Sequence, residues 1–245
     1  MMSIVLFSHP IFAEVDNRAI DKYTLEIMAG LPKPPFIIEE NGEGIELDIF
    51  RDTFATVNKN VHFIHVPFGR TTMSFHRLNS DGIVTVLPSY KHPSLFVSKP
   101  YITYQNVAVS LLDNNFEIDN VKSLAGKSII AFQNAKKYLG DDFNKVISYS
   151  INYREIAEQL KQIDMLFLRR TEVIILDINI FKYFMKTHRS GRYSQPYNVH
   201  YIFNERQYSA AFKLEQNRDL FDKGIKTIKE QGTYQFILDK YLTQQ

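Results

Sequence analysis

Lys33-Pro34-Pro35-Phe36-Ile37-Ile38-Glu39-Glu40-Asn41-Gly42-Glu43-Gly44-Ile45-Glu46-Leu47-Asp48-Ile49-Phe50 joins a proline pair, a polar stretch with two glycines and an apolar-periodic segment. Proline fixes φ and glycine admits turns, so the chain before Gly44 reads as a tight turn. From Gly44 onward Leu47, Phe50, Phe54 and Val57 recur at spacings of three and four, which makes one apolar face of a helix. Upstream, Tyr23 to Gly30 alternates and is rich in β-formers, so it reads as a strand. The unit is strand, turn, helix. Ligands collect at the carboxyl ends of strands in open α/β sheets, which places this turn beside a binding crevice.

The alternation continues outward. Val61 to Val66 reads as a second strand closed by Pro67, and Arg70 to Leu78 as a short helix stopped by Asn79-Ser80-Asp81-Gly82. Ile83 to Leu87 is a third strand, followed by a polar loop with Pro88 and Pro93. Such β-α-β-α-β order argues for a parallel sheet with helices on its faces. Ile102 to Leu112 is extended and leaves this unit. A second series follows, with a strand at Ser128–Phe132 and a helix over Tyr153–Ile163 that carries Ile156, Leu160 and Ile163 on one side. Glu172 to Asp177 is a buried strand ending in a carboxylate, Phe181 to Met185 is helical, and Tyr208 to Leu214 is a returning strand. Two helices, Asp219–Gln231 and Tyr234–Leu242, close the chain on either side of Gly232. The expected fold class is α/β, with two lobes joined by a hinge. The first lobe takes residues 22–105 plus 208–243, and the second takes residues 106–207.

Composition narrows the function. A chain of 245 residues can bury a sizeable core as one large domain or two lobes. Hydrophobic residues at 44% match ordinary globular usage and argue against bulk disorder. The 29 basic and 27 acidic residues leave a net +2 with no basic stripe, so nothing points to nucleic acid. Without cysteine there is no disulfide framework and no thiolate metal site, and the redox compartment stays open. His62 and His65, three apart on a strand, point to opposite faces, and the seven histidines form no metal pattern. No Ser/His/Asp spacing, phosphate loop or dinucleotide fingerprint stands out, so neither catalysis nor a cofactor is expected. Met1 to Ala13 is a short apolar run that reads as a truncated signal peptide lacking its basic start. No later stretch approaches the ~18–20 apolar residues that span a bilayer.

Five motifs lie in order from about Tyr23 to Leu242. They are Pro34-Pro35-Phe36 with Gly44-Ile45-Glu46-Leu47-Asp48, then Val97-Ser98-Lys99-Pro100-Tyr101, then Ser123-Leu124-Ala125-Gly126-Lys127-Ser128, then Asp177 at a strand end, and finally Gly232-Thr233-Tyr234 through Lys240-Tyr241-Leu242. Each is weak alone, but the collinear set resembles the family 3 extracellular solute-binding proteins of polar-amino-acid transporters. Pro67-Phe68-Gly69-Arg70 is similar to a branch with Pro-Trp-x-Arg at this point. The resemblance implies a two-lobed periplasmic-binding-protein-like fold of type II that closes on a small polar ligand by hinge motion. It also implies a periplasmic location, an ABC permease or a membrane sensor as partner, and a monomer. The alternatives are a soluble sensory module and, on the same fold, a dehydratase-like enzyme.

In that family an arginine and backbone amides take the ligand carboxylate, while an acidic residue takes the ammonium. Asp177 matches the acidic position; as a plain structural residue it would be a helix N-cap. The arginine loop falls on Pro88-Ser89-Tyr90-Lys91-His92-Pro93, where Lys91 is the nearest cation and otherwise a solvated loop lysine. Arg70 is the other source of a guanidinium, or else a surface helix residue. The second-lobe anion contact reads Gln133-Asn134-Ala135, which lacks the family's hydroxyl yet leaves helix-start amides to hold an anion. Phe36 and Tyr90 are either apolar walls of the site or core residues. These departures point to a divergent branch.

Overall fold

The strand, turn and helix are all present in the computed structural model, which describes residues 23–66, 80–187 and 191–243. The expected leader at residues 1–13 and the helix from Arg70 lie outside the described residues. In the first lobe β1 (Thr24–Ala29) leads through the Lys33–Glu43 turn to helix α1 (Ile45–Ala55), and then come β2 (Asn60–His65), β3 (Gly82–Val86), β4 (Phe96–Val97) and β5 (Ile102–Tyr104). Directly after Gln105 the chain enters a second sheet with β6 (Asn106–Leu111), β7 (Ser128–Phe132), β8 (Asn152–Ile156), β9 (Val173–Asp177) and β10 (Tyr197–His200). Strand β11 (Arg206–Phe212) returns to the first sheet.

Strand order is β2-β1-β3-β11-β4 with β5 also on β11, and β10-β6-β9-β7-β8 in the second sheet. β1 is parallel to β2 and β3, whereas β11 is antiparallel to β3, β4 and β5, so β11 alone runs against its sheet. β7 is parallel to β8 and β9, while β6 is antiparallel to both β9 and β10, so β6 is the reversed strand there. The reversed strands are the first to enter each sheet after a crossing. Two mostly parallel sheets joined by two crossings follow directly, as the alternation of strands and helices implied.

Helices cover the sheet faces. The second lobe carries α2 (Ala135–Leu139), α3 (Asp141–Ile147), α4 (Gln159–Phe167) and α5 (Ile178–Thr187), and α6 (Glu215–Glu230) and α7 (Thr233–Leu242) rejoin the first lobe. There Phe50 of α1 packs on Phe221 of α6 with ring centroids 4.6 Å apart and meets Tyr101 edge-on at 5.5 Å. One expectation fails. Residues 153–163 do not form a single helix: Asn152–Ile156 is a strand and the helix begins at Gln159. The register of five residues from Ser128↔Asn152 to Phe132↔Ile156 satisfies the backbone in parallel with β7. Tyr153 packs edge-on against Phe143 at 5.8 Å, and the helix's buried stripe is Ile163, Leu166 and Phe167, further along than Ile156.

Helix α1 starts without a side-chain cap. Its first amides, from Ile45 and Glu46, donate to the carbonyls of Pro35 (2.9 Å) and Phe36 (3.0 Å), so the proline turn itself caps the helix. Gly44 makes that closeness feasible, with φ 127° and a Cβ that would lie 2.5 Å from the Phe36 carbonyl oxygen. The Tyr241 hydroxyl accepts from the Gly44 amide at 3.0 Å and donates to Asp48 Oδ2 at 2.6 Å, pinning α7 to the same turn. Gly44→Ala is therefore expected to cost on the order of 2–3 kcal/mol, through both the positive φ and the carbonyl clash. Urea denaturation of the variant checks this; an unchanged midpoint would show that the turn can relax.

Candidate functional site: the cleft between the sheets

Facing ends of the two sheets enclose a cleft with two chambers. The larger, about 490 Å³, is lined by Lys33, Thr85, Tyr90 and Lys91 from the first lobe and by Asn134 and Lys137 from the second. A smaller one of about 100 Å³ continues inward to Tyr104, Gln133, Asp177 and Tyr208. Both chambers share Lys33, Thr85 and Tyr138, so they are parts of one cleft.

The cleft floor on the first lobe is built around Glu46, which has no solvent exposure. Lys33 Nζ lies 2.9 Å from its Oε1 and 4.8 Å from the centroid of the Tyr104 ring. Tyr104 donates its hydroxyl to Oε1 and Thr85 donates to Oε2. Burial, then the Glu46 charge, hold the Tyr104 phenol well above its ordinary pKa, so it remains a neutral donor. Thr85 reaches Glu46 from a left-handed backbone, φ 65°, a costly conformation for a β-branched residue that is kept where the surroundings over-determine it. Neither Glu46 nor Tyr104 is among the site residues that the sequence resemblance implies. One local signal existed: Glu46, Phe50 and Phe54 fall at spacings of four, so a carboxylate sits in line with the apolar stripe of α1.

Asp177 ends β9 and is 2% exposed. Its Oδ1 accepts from the amides of Asn179 (2.8 Å) and Ile180 (3.3 Å), and its Oδ2 from the amide of Gln105 (2.8 Å). It thus caps α5, lines the inner chamber and grips the residue at which the chain crosses between sheets. Burial pushes its pKa up to about 6, although the three amides and the Lys33 charge pull the other way.

The remaining candidates separate clearly. Half-buried Tyr90 and exposed Lys91 line the outer chamber with Asn134, while Gln133 lines the inner one. Phe36 is 2% exposed and stacks under Tyr104 with centroids 4.1 Å apart, so Tyr104 forms the wall and Phe36 supports it from behind. Arg70 lies outside the described residues. Two of the amides at that helix start are already taken: Glu155 accepts from the amides of Asn134 (2.7 Å) and Lys136 (3.0 Å), and from the Tyr153 hydroxyl (2.7 Å). Among the described residues no cluster of His, Asp and Glu is placed to hold a metal ion.

No family model matches the chain. A relative named arginine-binding periplasmic protein, from Mannheimia haemolytica, is 25% identical over 217 residues, covering 85% of this chain and 87% of its own. Among solved structures, the GluR0 ligand-binding core in complex with L-glutamate superposes with TM-score 0.73 at 14% identity, covering 89% of this chain and 98% of that one. An ancestral amino-acid-binding protein, a precursor of cyclohexadienyl dehydratase, gives TM-score 0.72 at 16% identity over 90% and 96%. The fold is therefore that of two-lobed periplasmic binding proteins, and the resemblance read from the motifs holds along the chain.

Two outcomes follow from the buried carboxylates. Lys33→Met leaves Glu46 without its cation and is expected to destabilise the protein by about 3–5 kcal/mol, with part recovered by adding Glu46→Gln. Chemical denaturation of the single and double variants measures both steps. Asp177 works through protons: its folded pKa is above the ordinary 3.8 of the unfolded chain, so between the two values the folded state binds more protons. Its stabilising contribution is full at low pH and is lost as pH rises through about 6, on the order of 3 kcal/mol. Relative to Asp177→Asn, the wild type should thus lose stability between about pH 4 and about pH 7.5. Parallel pH profiles would contradict this.

Proposed function

We propose that this chain is a periplasmic solute-binding protein of the amino-acid-binding type, which closes two lobes on a small polar solute. Strands β1–β5 with β11 and strands β6–β10 support taking residues 22–105 plus 208–243 as one lobe and 106–207 as the other. The observation that carries the reading is the cleft itself: polar and aromatic side chains from both sheets face one cavity, and among the described residues the chain crosses between the sheets at Gln105 and in the 201–205 segment. Movement about two such crossings opens and shuts the cavity, which is how this fold captures ligands. On this reading the protein acts as a monomer that delivers its ligand to an ABC permease.

A binding role suits the chemistry better than catalysis. Asp177, the acid lining the cleft, caps α5 and holds the crossing at Gln105 through three backbone amides, a use that fold geometry alone explains. A sensory role is the second reading, favoured by the shared fold with the GluR0 ligand-binding core. It uses the same cleft and differs in the membrane partner.

A ligand that binds only the folded protein stabilises it by about 2.7 kcal/mol at a hundred times its Kd, which for a chain of this size raises Tm by roughly 5–10 °C. A screen of amino acids, amines and small acids is expected to yield such a shift, with a smaller radius of gyration in solution scattering on binding. A flat response across the whole panel would count against solute capture.

A further inference from the structure

Charge is unevenly distributed along the cleft. The outer chamber is lined by three lysines, Lys33, Lys91 and Lys137, and by no carboxylate among the described residues. Lys33 is answered by Glu46 beneath it. Lys91 and Lys137 are exposed, and neither forms an ion pair among the described residues; Lys137 lies 5.8 Å from the Tyr138 ring centroid. They come from different lobes, Lys91 from the loop after β3 and Lys137 from α2. Bringing two ammonium groups together as a cleft closes is repulsive, and the repulsion grows as water leaves. An anion between them converts that repulsion into two attractions. Tyr90 and Asn134, in the same chamber, add a hydroxyl and an amide that can donate to it.

Resting on the solute-binding reading above, we propose that the cleft selects small carboxylates of net negative charge, with an acidic group seated between Lys91 and Lys137. Cationic amino acids are excluded by the same two lysines. Lysine presents a point charge and not a planar fork, so the pocket recognises charge more than carboxylate geometry.

Calorimetric titration of the full chain with L-glutamate, L-glutamine, succinate and L-arginine tests this, because glutamate and glutamine differ in charge at nearly constant shape. Glutamate or succinate is expected to bind at least about tenfold more tightly than glutamine, with arginine weaker still. Lys91→Gln and Lys137→Gln should each weaken the acid by about tenfold while leaving the unliganded melting temperature unchanged, whereas Lys226→Gln on α6, outside the lining of both chambers, should have no effect on ligand binding. Glutamine or arginine binding as tightly as the acids overturns the anion assignment and leaves solute capture standing. Equal losses in the Lys226 control also overturn it, since the preference would then be a property of overall charge. Silence from all four probes overturns the anion assignment, and a simultaneously flat response in the broad thermal screen would remove the solute-binding reading as well.

Discussion

A carboxylate without access to water sets the geometry of the first lobe's side of the cleft. Burying Glu46 alone would cost several kcal/mol, and the cost is met by one ammonium and two hydroxyls drawn from three distant segments. The proline turn supplies Lys33, β3 supplies Thr85 and β5 supplies Tyr104. Replacing such a cluster with well-packed apolar residues is often neutral or stabilising, so stability alone does not account for it. Its effect is placement. It holds the Lys33 ammonium, the Thr85 hydroxyl and the Tyr104 ring at the cavity surface, and it keeps Thr85 in a backbone conformation that its side chain disfavours.

Asp177 plays the matching part at the crossing. Its cap bonds join the end of β9, the start of α5 and the amide of Gln105, where the chain passes from one sheet to the other. Gln105 Nε2 in turn donates to the carbonyl of Phe203 at 2.8 Å, on the segment that carries the chain back. Both crossings are thus tied at one level beside the inner chamber. A hinge there would leave the Asp177 chamber nearly fixed, and the Lys91 and Lys137 side of the cleft, further from the pivot, would move most.

Much of this architecture was legible because it is periodic. Ser128–Phe132 and the α1 stripe are read directly from alternation and from three-and-four spacing. Asn152–Ile156 was not, because this edge strand buries no side chain fully and its isoleucine also suits a helix; only the β7 ladder decides. At the site the same division appears. Tyr90, Lys91, Gln133, Asn134 and Asp177 are positions that the resemblance implies, and the structure places them on the lining of the cavity. The Glu46–Tyr104 contact spans 58 residues of sequence, so the carboxylate in the α1 stripe marks one partner and nothing local marks the other. Phe36, either wall or core by its sequence position, is core, because Tyr104 stacks over it.

The way Glu155 is used changes where a ligand's charge can be held. By taking the Asn134 and Lys136 amides, it fills with an internal carboxylate the place where the backbone could have received one from outside. Backbone amides are rigid and directional, whereas the lysines left around the outer chamber are flexible and hydrated. In an open cleft such ammonium groups are screened within about 8 Å at physiological ionic strength and hold an anion weakly. When the lobes approach and water is displaced, the same groups act through a lower dielectric and the attraction rises. Affinity in this arrangement is therefore tied to closure more tightly than in a site that grips through preformed amides. The rigid Glu46 cluster and the Asp177 crossing supply the fixed frame against which that closure occurs.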